Sequence, residues 1–562
     1  RKATPNHSLQ LNKMKFSAAF IATIVGLLSS TTQANRFLRG DRELKKKTCT
    51  ALVAYVEFEG LDLNEPSLHC EVEGGAVLSV NSSKMPPGQI KKLLKEKKIV
   101  SGVSKIDIDG KKTDKGSVDF GDDDVAFDNA GGGRERRLAT VEGTRSVLAV
   151  RVLATDESPS YDEATLSNSV FGDNGDPLNL KSQYSACSNG KLNFVPANSK
   201  SLLSGQGQDG ETDISNGVTT VRVNVDTSQG DGIMRNDVTE ELKNNFGVSH
   251  PTNLANHVMY CLPPSAMSGI AYAYVNSWMS VYKDKWCTYV SGQMHELGHN
   301  LNLAHSNEEG TYKDQSGMMG YSYSGSDSPR MCFNGAKMYQ LGWLDDASVD
   351  FQVGTDTNQM YEMKGIADTD WGYTNSFDGH PRVVKINTPS ATDYYVTYNL
   401  KRGVNSGTVE GGNTVTIVSA GGEGSSYAAS ELEAKLTASS SPYVVPGTNV
   451  QVDVVSLDSS SDSGMAMVCI SEDGVSCSSS PATTTTTPAT TTTQPTTTTT
   501  TSTTTTTQGT TTTTTQGTTT TTQATTTTTT NPPPFSCSNI GGGGTCKKDN
   551  RCYWSKGRCY AK

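Results

Sequence analysis

Three histidines and one glutamate lie close together in SGQMHELGHNLNLAHSNEE, Ser291 to Glu309, in a chain that has eight histidines in all. His295 and His299 are four residues apart, so on a helix both imidazoles lie on one face, about 6 Å apart along the axis, and can reach one cation. In the pattern H-E-x-x-H, zinc lowers the pKa of a bound water to about 7 and the glutamate, here Glu296, takes its proton and can return it to the departing amine. The spacing therefore predicts a hydrolytic Zn²⁺ site whose target is a polarised peptide carbonyl.

A third ligand is expected at His305, six residues after His299. Six residues do not share a helix face, so the helix must end between the two. Asn302 is placed to end it, because a chain that doubles back after a helix needs a residue with positive φ, which glycine adopts best and asparagine next best. The competing ligands, the glutamates at 308–309, are too close to belong to a second helix. We therefore predict three histidine ligands and a positive φ at Asn302.

A methionine pair follows the histidines. Met318 and Met319 come thirteen and fourteen residues after the third histidine, in the Gly- and Ser-rich segment DQSGMMGYSYS. H-E-x-x-H with a third histidine and a following methionine turn is the signature of the metzincin zinc peptidases, and Met319-Gly320-Tyr321 resembles their Met-x-Tyr turn. The resemblance implies that Met319 forms an apolar floor beneath the zinc. Tyr321 is a candidate transition-state stabiliser, with an exposed turn tyrosine as the alternative.

A narrower resemblance covers about residues 145 to 345 and continues more weakly toward 478. The chain is similar there to the gametolysin family of secreted zinc peptidases, which implies that the three histidines bind zinc and that Glu296 is the catalytic acid and base. It also implies that GIAYA, Gly269–Ala273, is an edge strand that pairs with the substrate backbone. Family members cleave extracellular-matrix or cell-wall proteins. The segments that carry the resemblance are SVLAVRVLATDESPS, VFGDNGDPLNLKSQYSACSNGKLNFVPA, AYAYVNSWMSVYKDKWCTYVSGQMHELGHNLNLAHS and CFNGAKMYQLGWL.

Composition and the N-terminal residues indicate where the protein acts. The 562 residues are 34% hydrophobic with a formal net charge of -10, and the absence of a basic stripe argues against nucleic acid as a partner. Met14–Ala34 has one lysine, an apolar run and a small-residue end, which predicts a secretory signal peptide after an upstream leader at 1–13. No other run approaches the roughly 20 apolar residues of a transmembrane segment. We therefore expect a secreted protein, extracellular or in the cell wall.

Periodicity and composition divide the rest of the chain. Strand-like and helical patterns alternate before residue 350 and short alternating strands follow, whereas the threonine-rich stretch cannot bury a core. The expected fold class is α/β (α+β), with a metzincin-like peptidase domain built on a mixed sheet and an active-site helix. The predicted parts are a propeptide at 35–137, the catalytic domain at 138–350, a β-rich unit at 351–478, a disordered Thr-rich linker at 479–533 and a disulfide-bridged module at 534–562.

A run of arginines suggests how the protein is activated. Arg134, Arg136 and Arg137 follow an acidic, glycine-rich stretch, and such accessible loops are preferred sites of proteolysis. We expect a processing protease to cut after Arg137 and so convert a zymogen to its mature form. The alternative is a solvated charge run without a processing role.

The twelve cysteines fall into three even groups, which favours three separately bridged units in a secreted chain. In the first group, Cys70 either pairs with Cys49 or blocks the zinc as a thiolate, and secretion favours the disulfide. Asn81, in NSS, is the glycosylation sequon of the secreted part.

The last cysteine group forms a module too small to fold on apolar burial alone, so two disulfides are expected to hold it. Its aromatic residues, Tyr553, Trp554 and Tyr560, either contact wall or carbohydrate or cover the cystines.

Two functions remain open from the sequence. The favoured one is a zymogen-activated zinc endopeptidase that acts on proteins outside the cell. The alternative is a catalytically inactive matrix or surface glycoprotein with a metzincin-like fold. The intact Glu296 and all three histidines favour the enzyme.

Overall fold

The computed structural model separates into two compact units, Arg1–Thr486 and Thr487–Lys562. The predicted leader, signal peptide, processing site and Thr-rich linker lie outside the described residues, as do Tyr321 and the side chains of the C-terminal module. Within the described ranges, no helix has the length and apolar character needed to cross a membrane. The structure describes residues 47–58, 65–81, 88–96, 98–108, 117–119, 127–128, 141–198, 213–320, 327–368, 379–421, 429–460, 464–472, 474, 477, 552–555 and 558–561.

Three of the helices begin with a capping side chain, that of Asp162, Asn179 or Asn334. The Asp162 side chain accepts a hydrogen bond from the backbone N–H of Thr165 at the start of one helix, and Gly172 ends that helix in the left-handed region. The α-helices are α1 (Gln89–Lys95), α2 (Glu163–Phe171), α3 (Leu180–Cys187), α4 (Asp231–Phe246), α5 (Val290–Asn300) and α6 (Gly335–Gln340).

One large mixed sheet is built from strands of the first unit that lie between Lys47 and Lys283. Its strands are β1 (Lys47–Glu57), β2 (Ser67–Glu71), β3 (Val77–Asn81), β4 (Lys105–Ile108), β5 (Ser117–Asp119), β6 (Phe127–Asp128), β7 (Gly143–Leu153), β8 (Leu192–Pro196), β9 (Val218–Arg222), β10 (His257–Leu262), β11 (Ala271–Tyr274) and β12 (Met279–Lys283). Along the main path their order is β5-β3-β2-β1-β11-β12-β10-β7-β8. Strands β12, β10, β7 and β8 are parallel to one another in this row, whereas β11 is antiparallel to both β12 and β1. The predicted mixed sheet is confirmed.

The sheet is buried on both faces, as its parallel centre requires. Alternate residues of β7 enter two different cores: Val147 and Ala149 pack with residues of α2, α3 and α5, whereas Leu148 and Val150 pack with residues of α4. The second core also includes Leu52 of β1. The N-terminal strands therefore share a hydrophobic core with the parallel centre of the sheet.

The predicted edge strand Gly269–Ala273 is not an edge in this structure. Its residues from Ala271 onward form β11, which lies between β12 and β1. Strand β1 is long and mostly apolar, and by pairing with β11 it satisfies backbone groups that an edge would leave exposed. Strand β1 thus occupies the position beside β11 where the sequence analysis placed the substrate backbone.

The β-rich character beyond residue 350 is confirmed. The remaining strands of this unit are β13 (Ser306–Asn307), β14 (Ser348–Gln352), β15 (Gln359–Lys364), β16 (Val383–Asn387), β17 (Thr392–Tyr398), β18 (Val415–Gly421), β19 (Ser430–Leu436), β20 (Tyr443–Val444), β21 (Val450–Leu457) and β22 (Met465–Glu472). They form two sheets, β13-β19-β18-β17-β16-β14 and β15-β22-β21-β20, around a common apolar core. Strand β13 follows His305 directly, so this region is joined to the histidine segment.

The described disulfides pair cysteines within the groups that the sequence predicts. Cys49 is bonded to Cys70 on β2, so the favoured pairing is confirmed and the Cys70 thiolate is excluded in this structure. The other disulfides are Cys187–Cys332, Cys261–Cys287 and Cys469–Cys477. In the second unit the structure describes the antiparallel strands β23 (Cys552–Ser555) and β24 (Arg558–Ala561).

Candidate metal centre and active site

Helix α5 carries the first two histidines, and every residue of it is buried. The His295 and His299 rings lie with their centroids 4.9 Å apart. The Asn300 amide donates hydrogen bonds to the carbonyls of Tyr274 (3.1 Å) and Met279 (2.9 Å), which fixes the end of the helix against β11 and β12. The two histidines whose spacing predicted a shared helix face therefore lie on a buried helix whose end is hydrogen-bonded to the sheet.

The turn after α5 places the third histidine. Asn302 has φ 73°, as predicted. Its N–H donates to the carbonyl of His299 (2.9 Å), and the N–H of Leu303 donates to that of Gly298 (3.0 Å), which together form a Schellman motif. The motif ends the helix and reverses the chain, so that His305 returns toward the other two histidines.

The orientation of two imidazoles is set by backbone carbonyls. His295 Nδ1 lies 2.8 Å from the carbonyl oxygen of Met318, and His299 Nδ1 lies 2.8 Å from that of Leu303. A carbonyl only accepts, so each Nδ1 carries the proton and each Nε2 presents a lone pair. The Nε2 atoms of His299 and His305 lie 3.1 Å apart. Two ring nitrogens at this distance can both bind one cation through their lone pairs.

A fourth group completes the cluster. The Oε1 atom of Glu57, at the end of β1, lies 3.5 Å from His305 Nε2 and 3.8 Å from His295 Nε2. One ligand atom from each of the four buried residues lies within 4.8 Å of all the others. Two ligand atoms on one tetrahedral zinc, each about 2.0–2.1 Å from the metal, are about 3.3 Å apart, close to these separations. The residues therefore fit a metal ion held by three nitrogens and one oxygen.

Burial keeps the imidazoles in their ligand form. It lowers the pKa of His295 to about 4, and it lowers the pKa values of His299 and His305 well below the ordinary range. Neutral imidazole is the form that binds metals. The cluster is thus poised to receive a cation.

Glu296 lies beside the first histidine and is 1% exposed. Its Oε2 has no hydrogen-bond partner among the residues that the structure describes. Burial first, and the charge of Glu57 second, raise the pKa of Glu296 well above its ordinary value. A carboxyl group in such surroundings exchanges a proton readily with a neighbouring water or amine.

The methionine pair supports α5 from one side. The carbonyl of Met318 orients His295, as described above, and Met319 is fully buried. A Cβ atom added to Gly298 would lie 2.6 Å from the Met319 sulfur, so the methionine packs directly against the helix where glycine leaves room. This position is compatible with the predicted floor, whose role remains a prediction.

Three residues near the histidines were not among the site residues predicted from the sequence. The Tyr312 ring lies 3.6 Å from that of His305, centroid to centroid, and its hydroxyl donates a hydrogen bond to the Glu57 carboxylate. The Tyr55 ring lies 4.3 Å from that of His305. Tyr55 and Glu57 are two apart in the strand-like segment AYVEFEG, so their shared face was readable, but nothing in the sequence showed that this face meets the histidines.

Two other histidines, His257 and His380, lie apart from this cluster. His257 is buried in the core with its ring 5.9 Å from that of Phe194, and His380 pairs with Glu362 (3.4 Å). Neither belongs to the group of residues that could hold the metal.

Comparison with known proteins identifies the family. Residues 153–408 match the family model described as gametolysin peptidase M11, a range that contains Glu296, the three histidines and the methionine pair but not Glu57. A comparison with curated proteins found no match. The family assignment implies a metallopeptidase, in agreement with the buried cluster of histidine and glutamate. Residues 153–408 therefore form a domain of the gametolysin peptidase M11 family of metallopeptidases.

Proposed function

We propose that the protein is a secreted zinc endopeptidase, made as a zymogen, that hydrolyses peptide bonds in extracellular-matrix or cell-wall proteins. The observation that carries this proposal is the clustering of the three buried histidines, with Glu296 next to His295 on α5. His295, His299 and His305 would hold a zinc ion, which would supply a Lewis acid for the peptide carbonyl and lower the pKa of a water molecule.

The side chains around the metal have distinct tasks in this proposal. Glu296 accepts a proton from the attacking water and passes it to the departing amine, for which its unpartnered Oε2 and raised pKa suit it. The hydrogen bonds of His295 and His299 to backbone carbonyls keep both rings in place during the reaction. In the mature enzyme, β11 pairs with the substrate backbone once β1 has left.

Secretion and processing complete the proposal. The signal-like segment Met14–Ala34 and the pairing of the described cysteines suit an oxidising compartment outside the cell. Residues 35–137 are the propeptide, removed by a cut after Arg137, and 138–350 form the catalytic domain. The preference for matrix or cell-wall proteins rests on the family resemblance. The C-terminal module, whose strands pair Tyr553 with Tyr560, contacts wall or carbohydrate.

The test is a proteolysis assay of the processed protein, that is, the protein cleaved after Arg137. We expect it to cleave a protein substrate, to lose activity with a chelator and to regain it with Zn²⁺. Glu296→Gln should lower kcat by at least about a hundredfold because it removes the general base. Glu240→Gln, which changes a glutamate on α4 paired with Lys243 (2.8 Å), is the matched control.

Full activity of Glu296→Gln, or of metal-free protein, would disprove the mechanism. A cut, zinc-loaded protein that cleaves no member of a peptide library would instead favour the inactive matrix or surface glycoprotein.

A further inference from the structure

We propose that Glu57 is a fourth ligand of the metal and that, through it, strand β1 keeps the uncleaved chain latent. The inference rests on the proposed function, because latency has meaning only for an enzyme. It assigns the regulation of the site to a carboxylate that lies outside the residues matched by the family model.

The Glu57 carboxylate is placed as a ligand and not as a surface acid. The residue is 3% exposed, and its Oε1 faces Nε2 atoms of two histidines at 3.5 and 3.8 Å. Catalytic zinc sites have three protein ligands and an open position for water or substrate, whereas sites with four protein ligands are closed. A carboxylate in the fourth position therefore takes the place of the reacting water.

The backbone of β1 blocks the same site in a second way. Glu57 and Ala54 pair with Ala271 and Tyr274, the two ends of β11. The hydrogen bonds extend beyond the strand, since the N–H of Ile270 donates to the carbonyl of Glu57 (2.8 Å) and that of Val275 donates to Val53 (2.9 Å). A substrate strand cannot add to an edge that is already paired along its whole length.

Aromatic rings enclose the carboxylate. Tyr55 packs against His299 and His305 from β1, while Tyr312 packs on His305 from the catalytic region and hydrogen-bonds to Glu57. Tyr55 and Glu57 are two residues apart on one strand, so a single element delivers both to the histidines. The site is thus covered as well as ligated.

Contacts outside the strand anchor this arrangement. The Ser101 hydroxyl donates to the carbonyl of Val275 (2.6 Å) and accepts from the N–H of Val53 (2.9 Å). The buried Arg235 donates to the carbonyl of Val77 (2.9 Å). The N-terminal segment is therefore seated at several points of the catalytic region.

The thiol alternative does not fit the same geometry. Cys70 is fully buried and bonded to Cys49, so its sulfur is committed within the N-terminal segment. Among the described residues of that segment, Glu57 is the metal-ligating group that joins the histidine cluster.

The experiment uses the uncleaved full chain, verified by intact mass, loaded with Co²⁺ for spectroscopy and titrated with Zn²⁺ against a competing chelator. Glu57→Ala removes the ligand, Glu57→Gln keeps the shape without the charge, and Glu73→Gln changes an exposed glutamate of the same segment as the control. Folding is checked by circular dichroism. Cleavage of a peptide is measured in parallel, before and after the cut at Arg137.

We expect Glu57→Ala to change the visible cobalt spectrum, because that spectrum follows the ligand set, and to weaken Zn²⁺ binding at least about tenfold. The uncleaved variant should also cleave the peptide, but more slowly than the cut enzyme, because β1 without its ligand leaves β11 more readily yet still pairs with it. Uncleaved wild type and Glu73→Gln should not cleave the peptide. Glu57→Gln should show changes in the same direction.

An unchanged cobalt spectrum and Zn²⁺ affinity in Glu57→Ala would overturn the inference, even if the cut wild type is an active, chelator-sensitive peptidase. Conversely, a changed spectrum in a protein that stays inactive after the cut would support the ligand while the proposed peptidase activity fails. The two proposals therefore fail separately.

Discussion

The three histidines are oriented by different means. Carbonyls of Met318 and Leu303 hold the rings of His295 and His299, whereas Nδ1 of His305 has no hydrogen-bond partner among the described residues. Packing against Tyr312 and the turn at Asn302 position that third ring instead. His305 is thus the ligand that depends most on local backbone conformation.

Substitution of Asn302 tests that dependence. Asn302→Gly should keep nearly wild-type stability and Zn²⁺ affinity, because glycine adopts positive φ freely. Asn302→Val should lose about 1–2 kcal/mol of stability, the cost of a left-handed conformation for a side chain with a Cβ atom, and should bind Zn²⁺ more weakly. Urea unfolding of metal-free protein and chelator competition measure the two effects. A valine variant indistinguishable from the glycine variant would contradict this account of the turn.

At the scale of elements, the pairing of β1 with β11 connects the strands that precede β7 to the part of the sheet that adjoins the three histidines. The pairing needs close approach at Gly269, where an added Cβ atom would lie 2.6 Å from Val56 Cγ1 and 2.7 Å from the Glu57 carbonyl oxygen. Both separations are shorter than 3.0 Å, a distance at which a Cβ atom would force the neighbouring atoms of β1 to move. Gly269 therefore allows β1 to lie where it does.

Gly269→Ala is expected to loosen β1 without altering the histidines. After a cut at Arg137, the N-terminal fragment should leave the variant at least several-fold faster than it leaves wild type, because overpacking forces neighbouring atoms apart. Gel filtration of the cut protein over time measures the retained fragment.

The control for this prediction is Gly232→Ala, where an added Cβ atom would meet only Arg235 Nη2, at 3.9 Å. Equal retention in Gly269→Ala and wild type would show that the close approach does not govern release.

At the scale of the whole molecule, the buried His257 links folding to pH. Neither of its ring nitrogens has a hydrogen-bond partner in the described part of the chain. Burial first, and the charge of Arg145 second, lower the pKa of His257 to about 3. The unfolded chain protonates this residue near its ordinary pKa of about 6.5, so it binds more protons than the folded chain as the pH falls.

The free energy of unfolding should therefore fall between about pH 6.5 and about pH 3, with up to about 1.4 kcal/mol per pH unit due to His257. His257→Leu should lack this component, whereas His380→Leu, at a partly exposed histidine, should keep it. Chemical unfolding of metal-free protein at several pH values measures the difference. Parallel pH profiles for wild type and His257→Leu would contradict the assignment.

The sequence predicted those features that depend on short-range patterns. The histidine spacing predicted α5 and its buried face, and the need for positive φ predicted the conformation of Asn302. The pairing of β1 with β11 joins residues more than two hundred positions apart, and no local periodicity reports such a partner. Tyr312 was missed because it has φ 68°, which is rare for a tyrosine and has no sequence signal.

The disulfide between Cys187 and Cys332 has a consequence for survival among proteases. It closes a loop with a sequence separation of 145 that contains α5, the three histidines and the methionine pair. In the chain-entropy account, a loop of this length contributes about 5 kcal/mol by restricting the unfolded chain. A single internal nick between these cysteines also leaves both pieces covalently joined. If one molecule cleaved another at a single site in this loop, the disulfide would keep the two fragments in one covalent molecule. The fragments would separate on a reducing gel but not on a non-reducing gel.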